Sequence, residues 1–510
     1  MDSGCARSIL GNEANKLQKK TGLERLDDTV GGPESVECPE KYTVVQWEGP
    51  DDSQNPMNMS LFRKWVITMI CSFGALNVTC TSIIYASAYE GIAEEFHSTR
   101  TKVLTGVTVY LIGIGLGPML YSPLSEFYGR RYIYIFSFTG FLVFMFPIAF
   151  GKNLPSIVIN RFLSGCASSA FMSVSGGTIA DMFRADELGL PMMAFTASPF
   201  LGPILGPIIG DFIVANCNWR WVFYVMMMWT GAMLILVIAF VPETFAPVIL
   251  TRKAIRLRKE TGNNMIRSPS EQSNADSGRT LHQALLFSIN RPLELIIFEP
   301  MIISMCVYSM ILLGILYLSF EAFPLVYRYN HGFKIQYVGL TFIGLMIGQV
   351  IAACSEPYFK RLHVKLEQRA GKRQPEFRLP QAIVGSILCP ISLFWFAFTT
   401  YKSVHWIVPI IATVPLGTGM LLVFSGIFTY KVEAYRPYSA SALAANSFFR
   451  CTFGSVFPLF AIQMYDKLGY VWASFLLACL VTLCMPFPLL FYKYGERLRA
   501  KSRYAFSDED

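Results

Sequence analysis

The sequence predicts an all-α integral membrane fold: twelve transmembrane helices in two pseudo-symmetric six-helix bundles. Three observations predict it. Of 510 residues, 53% are hydrophobic and only 15% charged, a balance foreign to a soluble chain of this length. The apolar residues gather into runs of about 20, long enough to cross about 30 Å of hydrocarbon as helices. The runs also fall six and six about a long polar stretch, 243–296.

In order, the runs cover 65–89, 103–124, 132–150, 154–179, 190–214 and 221–241. After the polar stretch come 298–326, 338–354, 380–400, 406–430, 440–464 and 470–492. Residues 1–60 form a hydrophilic tail rich in Gly, Glu and Lys. It reads as disordered, having too little apolar surface to offset the entropy of ordering, and it shows no cleaved secretory signal. The first bundle occupies 61–242 and the linker 243–296. The linker carries Arg252-Lys253-Ala254-Ile255-Arg256-Leu257-Arg258-Lys259, where Leu250, Ile255 and Leu257 add an apolar face suited to the inner membrane surface. Residues 268–278 read as a flexible tether. The second bundle occupies 297–493, and 494–510 is a second tail.

The net charge of +8 has a membrane explanation. With both termini cytoplasmic, the loops on that side hold about 20 Lys and Arg against about 8 on the other. Arg130, Arg131, Arg184, Lys360, Arg361, Lys372 and Arg373 belong to the inner set. They hug span ends without interleaved aromatics, which argues against nucleic acid as a partner. The 12 cysteines are scattered mostly through spans with no CxxC pair, and the 5 histidines form no metal-type pair. No Gly-x-x-x-x-Gly-Lys-Ser/Thr loop occurs, so an ATP-driven pump is disfavoured. The chain is read as no enzyme, with no metal and no cofactor.

The halves echo one another. Ser125-Glu126-Phe127-Tyr128-Gly129-Arg130-Arg131 follows span 2, and Ser355-Glu356-Pro357-Tyr358-Phe359-Lys360-Arg361 follows span 8. Gly113/Gly117 and Gly344/Gly348 precede them at equivalent places. Parallel six-span repeats are how one large group of secondary transporters binds solute between its halves. In span 5, Gly202, Gly206 and Gly210 share one helix face, where a neighbouring backbone can come close. Pro199, Pro203 and Pro207 each remove a backbone donor. Six such residues in one span predict a gate, beyond a mere packing seam. Glu126, Gly129, Arg130, Arg131 and Asp181 form an inner-face charge cluster, expected to hold the halves together when the inner gate shuts.

Several of these stretches resemble the major facilitator superfamily. Gly-Pro-x-x-Gly-Pro-x-x-Gly in span 5, with Asn218-Trp219-Arg220-Trp221, resembles its antiporter motif. Gly117-Pro118 through Arg130-Arg131 is similar to its loop motif, and Asn160-Arg161-Phe162-Leu163-Ser164-Gly165 to its span 4 arginine motif. Asn55-Pro56-Met57-Asn58, Pro242-Glu243-Thr244-Phe245-Ala246-Pro247 and Ser441-Ala442-Leu443-Ala444-Ala445-Asn446 with Arg450 fit the fungal twelve-span drug:proton antiporters. The resemblance runs from Asn55 to Lys501. Two departures keep the charges intact: Met59 where the family has Trp, and Glu433 where it often has Asp.

The resemblance implies proton-coupled efflux of lipophilic small molecules by a plasma-membrane monomer, and it implies that Arg161 takes part in proton coupling. A charge at membrane depth is a functional candidate by default. Arg161 has a structural alternative, as a donor to neighbouring backbone. Glu321 is a buried proton carrier or a hydrated group at the outer mouth. Asn446 and Arg450, one turn apart, bind a polar or anionic solute group or lock span 11 to its neighbours. Tyr317 is one of several aromatic and Met side chains expected to line a cavity for bulky solutes. An importer, and a sensor on the same fold, are the alternatives; only the antiporter likeness of span 5 separates the directions.

Overall fold

The computed structural model describes residues 43–49, 52–184, 187–262, 265–269, 271, 281–371, 374–435, 439–500 and 502. The first 42 residues, most of the tether, Lys372, Arg373 and 503–510 lie outside the described residues.

The membrane helices in chain order are α1 (Leu61–Ser87), α2 (Arg100–Tyr128), α3 (Arg130–Ala149), α4 (Leu154–Met182), α5 (Gly189–Asn216) and α6 (Arg220–Phe240). The second set is α7 (Pro300–Arg328), α8 (Ile335–Ala370), α9 (Pro375–Thr399) and α10 (Ile407–Ala434). An eleventh apolar stretch, Ser441–Arg499, runs for 59 residues. One helix of that length would reach about 90 Å, three times the hydrocarbon thickness. It is broken at Gly469, whose φ of 77° and ψ of 162° belong to no helix. The arm before Gly469 is α11 and the arm after it α12, so the chain makes twelve crossings.

Gly129 makes the same kind of reversal between α2 and α3, with φ 96° and ψ 162°. That conformation is open essentially to glycine alone. A Cβ there would also strike the Glu243 carboxylate. Elsewhere local chemistry starts the helices. The Ser60 hydroxyl caps α1 at the Arg63 N–H, and Asn153 caps α4 at Ser156.

Each half is held by glycine seams. In the first, Gly113 and Gly117 of α2 lie on the α4 backbone, and a Cβ on Gly165 would strike the Tyr110 carbonyl. In the second, Gly344 and Gly348 of α8 lie on α10, and a Cβ on Gly417 would strike the Leu345 carbonyl. The short motif shared by the two halves thus has a matching packing role in each. Large side chains such as Phe136, Ile235 and Leu483 stay exposed around the outside, where lipid takes the place of water.

Two expectations about the segments outside the bundles need correction. Ala246–Thr261 is an amphipathic helix, but its buried residues Leu250 and Ala254 are covered by Val45 and Trp47 of the chain itself, with Ile266. The exposed Ile255 alone is left for a membrane surface. The tail is likewise ordered before residue 60. Val45 N–H donates to the Arg267 carbonyl at 3.0 Å, and Lys253 Nζ lies 2.8 Å from Glu48 and 3.5 Å from Asp52. A 60-residue average hid two apolar residues at the end of a polar stretch.

Candidate functional site

Arg161 is wholly buried in the middle of the first half. Its guanidinium donates to the carbonyls of Gly106 at 3.2 Å, Thr81 at 2.9 Å and Ser82 at 2.9 Å. Its planar face lies 4.6 Å from the Tyr85 ring centroid and 4.3 Å from that of Tyr110. The charge is therefore met by dipoles and rings. The bonds tie α4 to α1 and α2, the structural arrangement that the sequence left open beside coupling.

From Arg161 a polar chain reaches the other half. Ser82, whose carbonyl serves Arg161, shares its hydroxyl with Tyr317 Oη on α7 at 2.6 Å. Tyr317 stands one turn before Glu321 on the same helix. Glu321 is 2% exposed and accepts from Arg100 at 3.0 Å. In this closed arrangement the Glu321 carboxylate is shielded from solvent and paired with Arg100 from the start of α2. Three residues singled out separately, Arg161, Tyr317 and Glu321, thus lie near one another at the seam: Ser82 links Arg161 to Tyr317, and Glu321 follows one turn later on α7 with Arg100 as its partner.

The face where α1 ends and α2 begins is closed around Glu321. Arg328 pairs with Glu90 at 2.6 Å, and Thr108 donates to the Ser455 carbonyl at 3.0 Å. Buried Asp211 at the end of α5 faces Ser87 and the Gly339 backbone N–H of α8. A Cβ on Gly339 would meet the Pro207 carbonyl at 2.6 Å.

Span 5 places its motif residues on two faces. Gly202, Gly206 and Gly210 lie against Leu76–Thr79, Cys80–Ile83 and Ile84–Ser87 of α1. Despite Pro199, Pro203 and Pro207, α5 is continuous over 28 residues. Deeper in, Gln349 of α8 donates to the Phe200 carbonyl at 3.2 Å, and Phe200 packs on Phe424 of α10 with centroids 4.8 Å apart.

The charge cluster at the turn between α2 and α3 is bonded within the first half and to Glu243 just after it. Arg130 Nε meets Asp181 at 3.2 Å, and its backbone N–H donates to Glu243 at 2.9 Å. Glu126 is a neighbour of Arg130, and Arg131 turns away to the Ile238 carbonyl at 3.0 Å. The second half has its counterpart: Arg378 at the start of α9 meets Glu433 near the end of α10 at 2.8 Å. Glu433, noted as a departure, keeps a carboxylate in that clamp.

The pair Asn446 and Arg450 is brought together with a residue that the sequence reading assigned to a loop. Lys431 lies inside α10, fully buried, and donates to Asn446 Oδ1 at 2.6 Å. Arg450 rests over Phe424 and Phe428, with 5.3 and 5.5 Å to the centroids. The helical period would have exposed Lys431, since Ile427, Tyr430, Lys431 and Ala434 share the buried face of α10.

Two matched six-helix bundles that meet along one polar seam, sealed at one face, define a membrane transporter of the alternating-access class. The chain belongs to the Major Facilitator Superfamily, whose profile matches residues 70–458. It is 42% identical over 505 residues to the Aspergillus terreus protein named efflux pump atB, covering 98% of this chain and 97% of that one. It is 38% identical over 502 residues to the Saccharomyces cerevisiae protein named probable drug/proton antiporter YHK8, covering 98% and 96%. With the Aspergillus fumigatus multidrug transporter mdrA it shares 40% over 470 residues, covering 91% and 76%. Among solved structures, the partially occluded inward-open xylose transporter XylE of Escherichia coli aligns with a TM-score of 0.59 at 18% identity, covering 85% of this chain and 98% of that one, which shows the shared fold.

Proposed function

We propose that the chain is a secondary active exporter of lipophilic small molecules, powered by inward proton movement through alternating access. The bundles rock about a central solute site. The termini and linker face the cytoplasm of a plasma membrane, one chain suffices, and the proton gradient replaces any cofactor. Efflux pumps and a drug/proton antiporter among near-full-length relatives support the direction of transport.

The observation that carries the coupling is the pair of links across the seam, Ser82–Tyr317 and Arg100–Glu321, which reach α7 one turn apart. In the sealed state Glu321 is ionised against Arg100 and latches α7 to α2. Opening to the outside parts Glu321 from Arg100 and lets the carboxylate take a proton; the neutral side chain is buried again as that face closes, and release of the proton inward restores the ion pair. Tyr317 and Ser82 pass the change in α7 to the Arg161 crossing. Pro199, Pro203 and Pro207 let α5 bend while its glycines keep α1 beside it. Arg130, Arg131, Glu126 and Asp181, around the Gly129 turn, shape the cytoplasmic gate surface of the first half.

Export of a fluorescent drug panel from cells expressing the chain, with and without a protonophore, tests the reading. Export should collapse with the gradient, and Glu321→Gln should flatten its dependence on external pH. Efflux indifferent to the protonophore overturns proton coupling.

A further inference from the structure

The second half buries two cations that no carboxylate among the described residues neutralises. Lys431 is fully enclosed, and its ammonium meets only Asn446 Oδ1 at 2.6 Å and the Cys306 thiol at 3.7 Å, both uncharged. Arg450 lies one turn beyond Asn446 on α11, 6% exposed, with Nε lacking any hydrogen-bond partner. Among the described residues, the buried carboxylates of this half are committed elsewhere: Glu321 to Arg100, Glu376 to Arg499, and Glu299 to Tyr435 and Ser502; Glu433, two residues from Lys431, is paired with Arg378.

Two like charges stripped of water repel one another and are unfavourable until an opposite charge joins them. The first half shows how a cation is kept without a ligand, since three backbone carbonyls surround Arg161. Nothing comparable surrounds Lys431 and Arg450. Their flanks are the rings of Phe424 and Phe428, centroids 5.3 and 5.5 Å from the Arg450 guanidinium. Phe424 in turn packs on Phe200 of α5, so this corner lies on the seam that parts when the halves rock.

We propose that Lys431 and Arg450 are the anion-binding pole of the solute site, and that the solute class is a lipophilic aromatic carboxylate. Its carboxylate bridges the ammonium and the guanidinium fork. Its ring body rests on Phe424 and Phe428, an apolar setting that excludes a heavily hydrated phosphate. Asn446 is the positioning residue that holds Lys431 toward α11. The inference rests on the exporter reading for its transport consequence, but not for binding itself.

The test uses the purified full chain in lipid nanodiscs and three probes with one ring system: 1-naphthoate, neutral 1-naphthamide and 1-naphthylmethylammonium. The acid should bind about tenfold more tightly than the amide, and the ammonium most weakly. Lys431→Gln and Arg450→Gln should each bring the acid-to-amide ratio towards unity, while Lys431→Arg and Arg450→Lys retain most of it. Where a Gln variant does not fold, the wild-type ratio and the charge-keeping variants decide. Equal affinity of the wild type for acid and amide overturns the anion pole, as does a ratio that survives both Gln substitutions. An intact ratio beside efflux that ignores the protonophore supports the pole and overturns only the proton coupling.

Discussion

The two halves share a skeleton and part company in the charges they bury. Gly165 on Tyr110 answers Gly417 on Leu345, and Arg130–Asp181 answers Arg378–Glu433. At the buried cations the likeness ends. Arg161 is saturated by backbone carbonyls, whereas Lys431 and Arg450 share one amide oxygen, a thiol and two rings. A contact between two backbones tolerates only glycine, so the seams stay matched after duplication. Side-chain chemistry between the seams is free to diverge. One half therefore serves as a frame, and the other carries the charge that can read a solute.

The sharpest way to break this comparison is at the seams. Gly165→Leu and Gly417→Leu should each cost about 3 kcal/mol or more through overpacking against a carbonyl. Both should eliminate the monodisperse peak in size-exclusion chromatography; tolerance at one site alone would end the equivalence. Next in size is Arg161→Ala, which strands three carbonyls and should lower stability by about 3 kcal/mol in detergent unfolding. Proton-driven efflux should be lost, and Arg161→Lys should not restore it, because one ammonium cannot span both α1 and α2. Full efflux by the Ala variant would remove Arg161 from the mechanism. The clamps should be nearly equal: Arg130→Ala and Arg378→Ala each cost about 1 kcal/mol, their carboxylate partners being partly solvated. Unequal melting shifts would show that one clamp bears a load the other does not.

The smallest effect lies outside both halves. The Glu48 and Gln54 backbone N–H groups hold the Asp52 carboxyl below the usual carboxylate range. The Glu48 carboxylate, then Asp52, raises Lys253 above the usual lysine value. Asp52 thus supports docking of residues 44–58 at neutral pH and stops doing so as pH falls through its lowered value. Lys253 supports docking until pH rises through its raised one. Hydrogen exchange of that segment should show a plateau between the carboxylate and lysine ranges, with faster exchange on either side. A rate unrelated to those limits would remove the ion pairs from docking.

The crossings and seams were legible because their signals are local: run length, glycine spacing and a seven-residue echo. Pairings between the halves were not. Arg100 and Glu321 stand 221 positions apart, and no periodicity links them. Lys431 was missed because the apolar run was closed at Tyr430, although the helix continues to Ala434 with the lysine on its buried stripe. Val45 and Trp47 were lost in the polarity of their surroundings.

The single-residue reversals at Gly129 and Gly469 bear on how the molecule is made. A helix joined to the next by one glycine leaves no slack of chain between the two. Each pair, α2 with α3 and α11 with α12, therefore enters the bilayer as a hairpin. The unit of biogenesis is two helices at those places, even though the unit of motion is six.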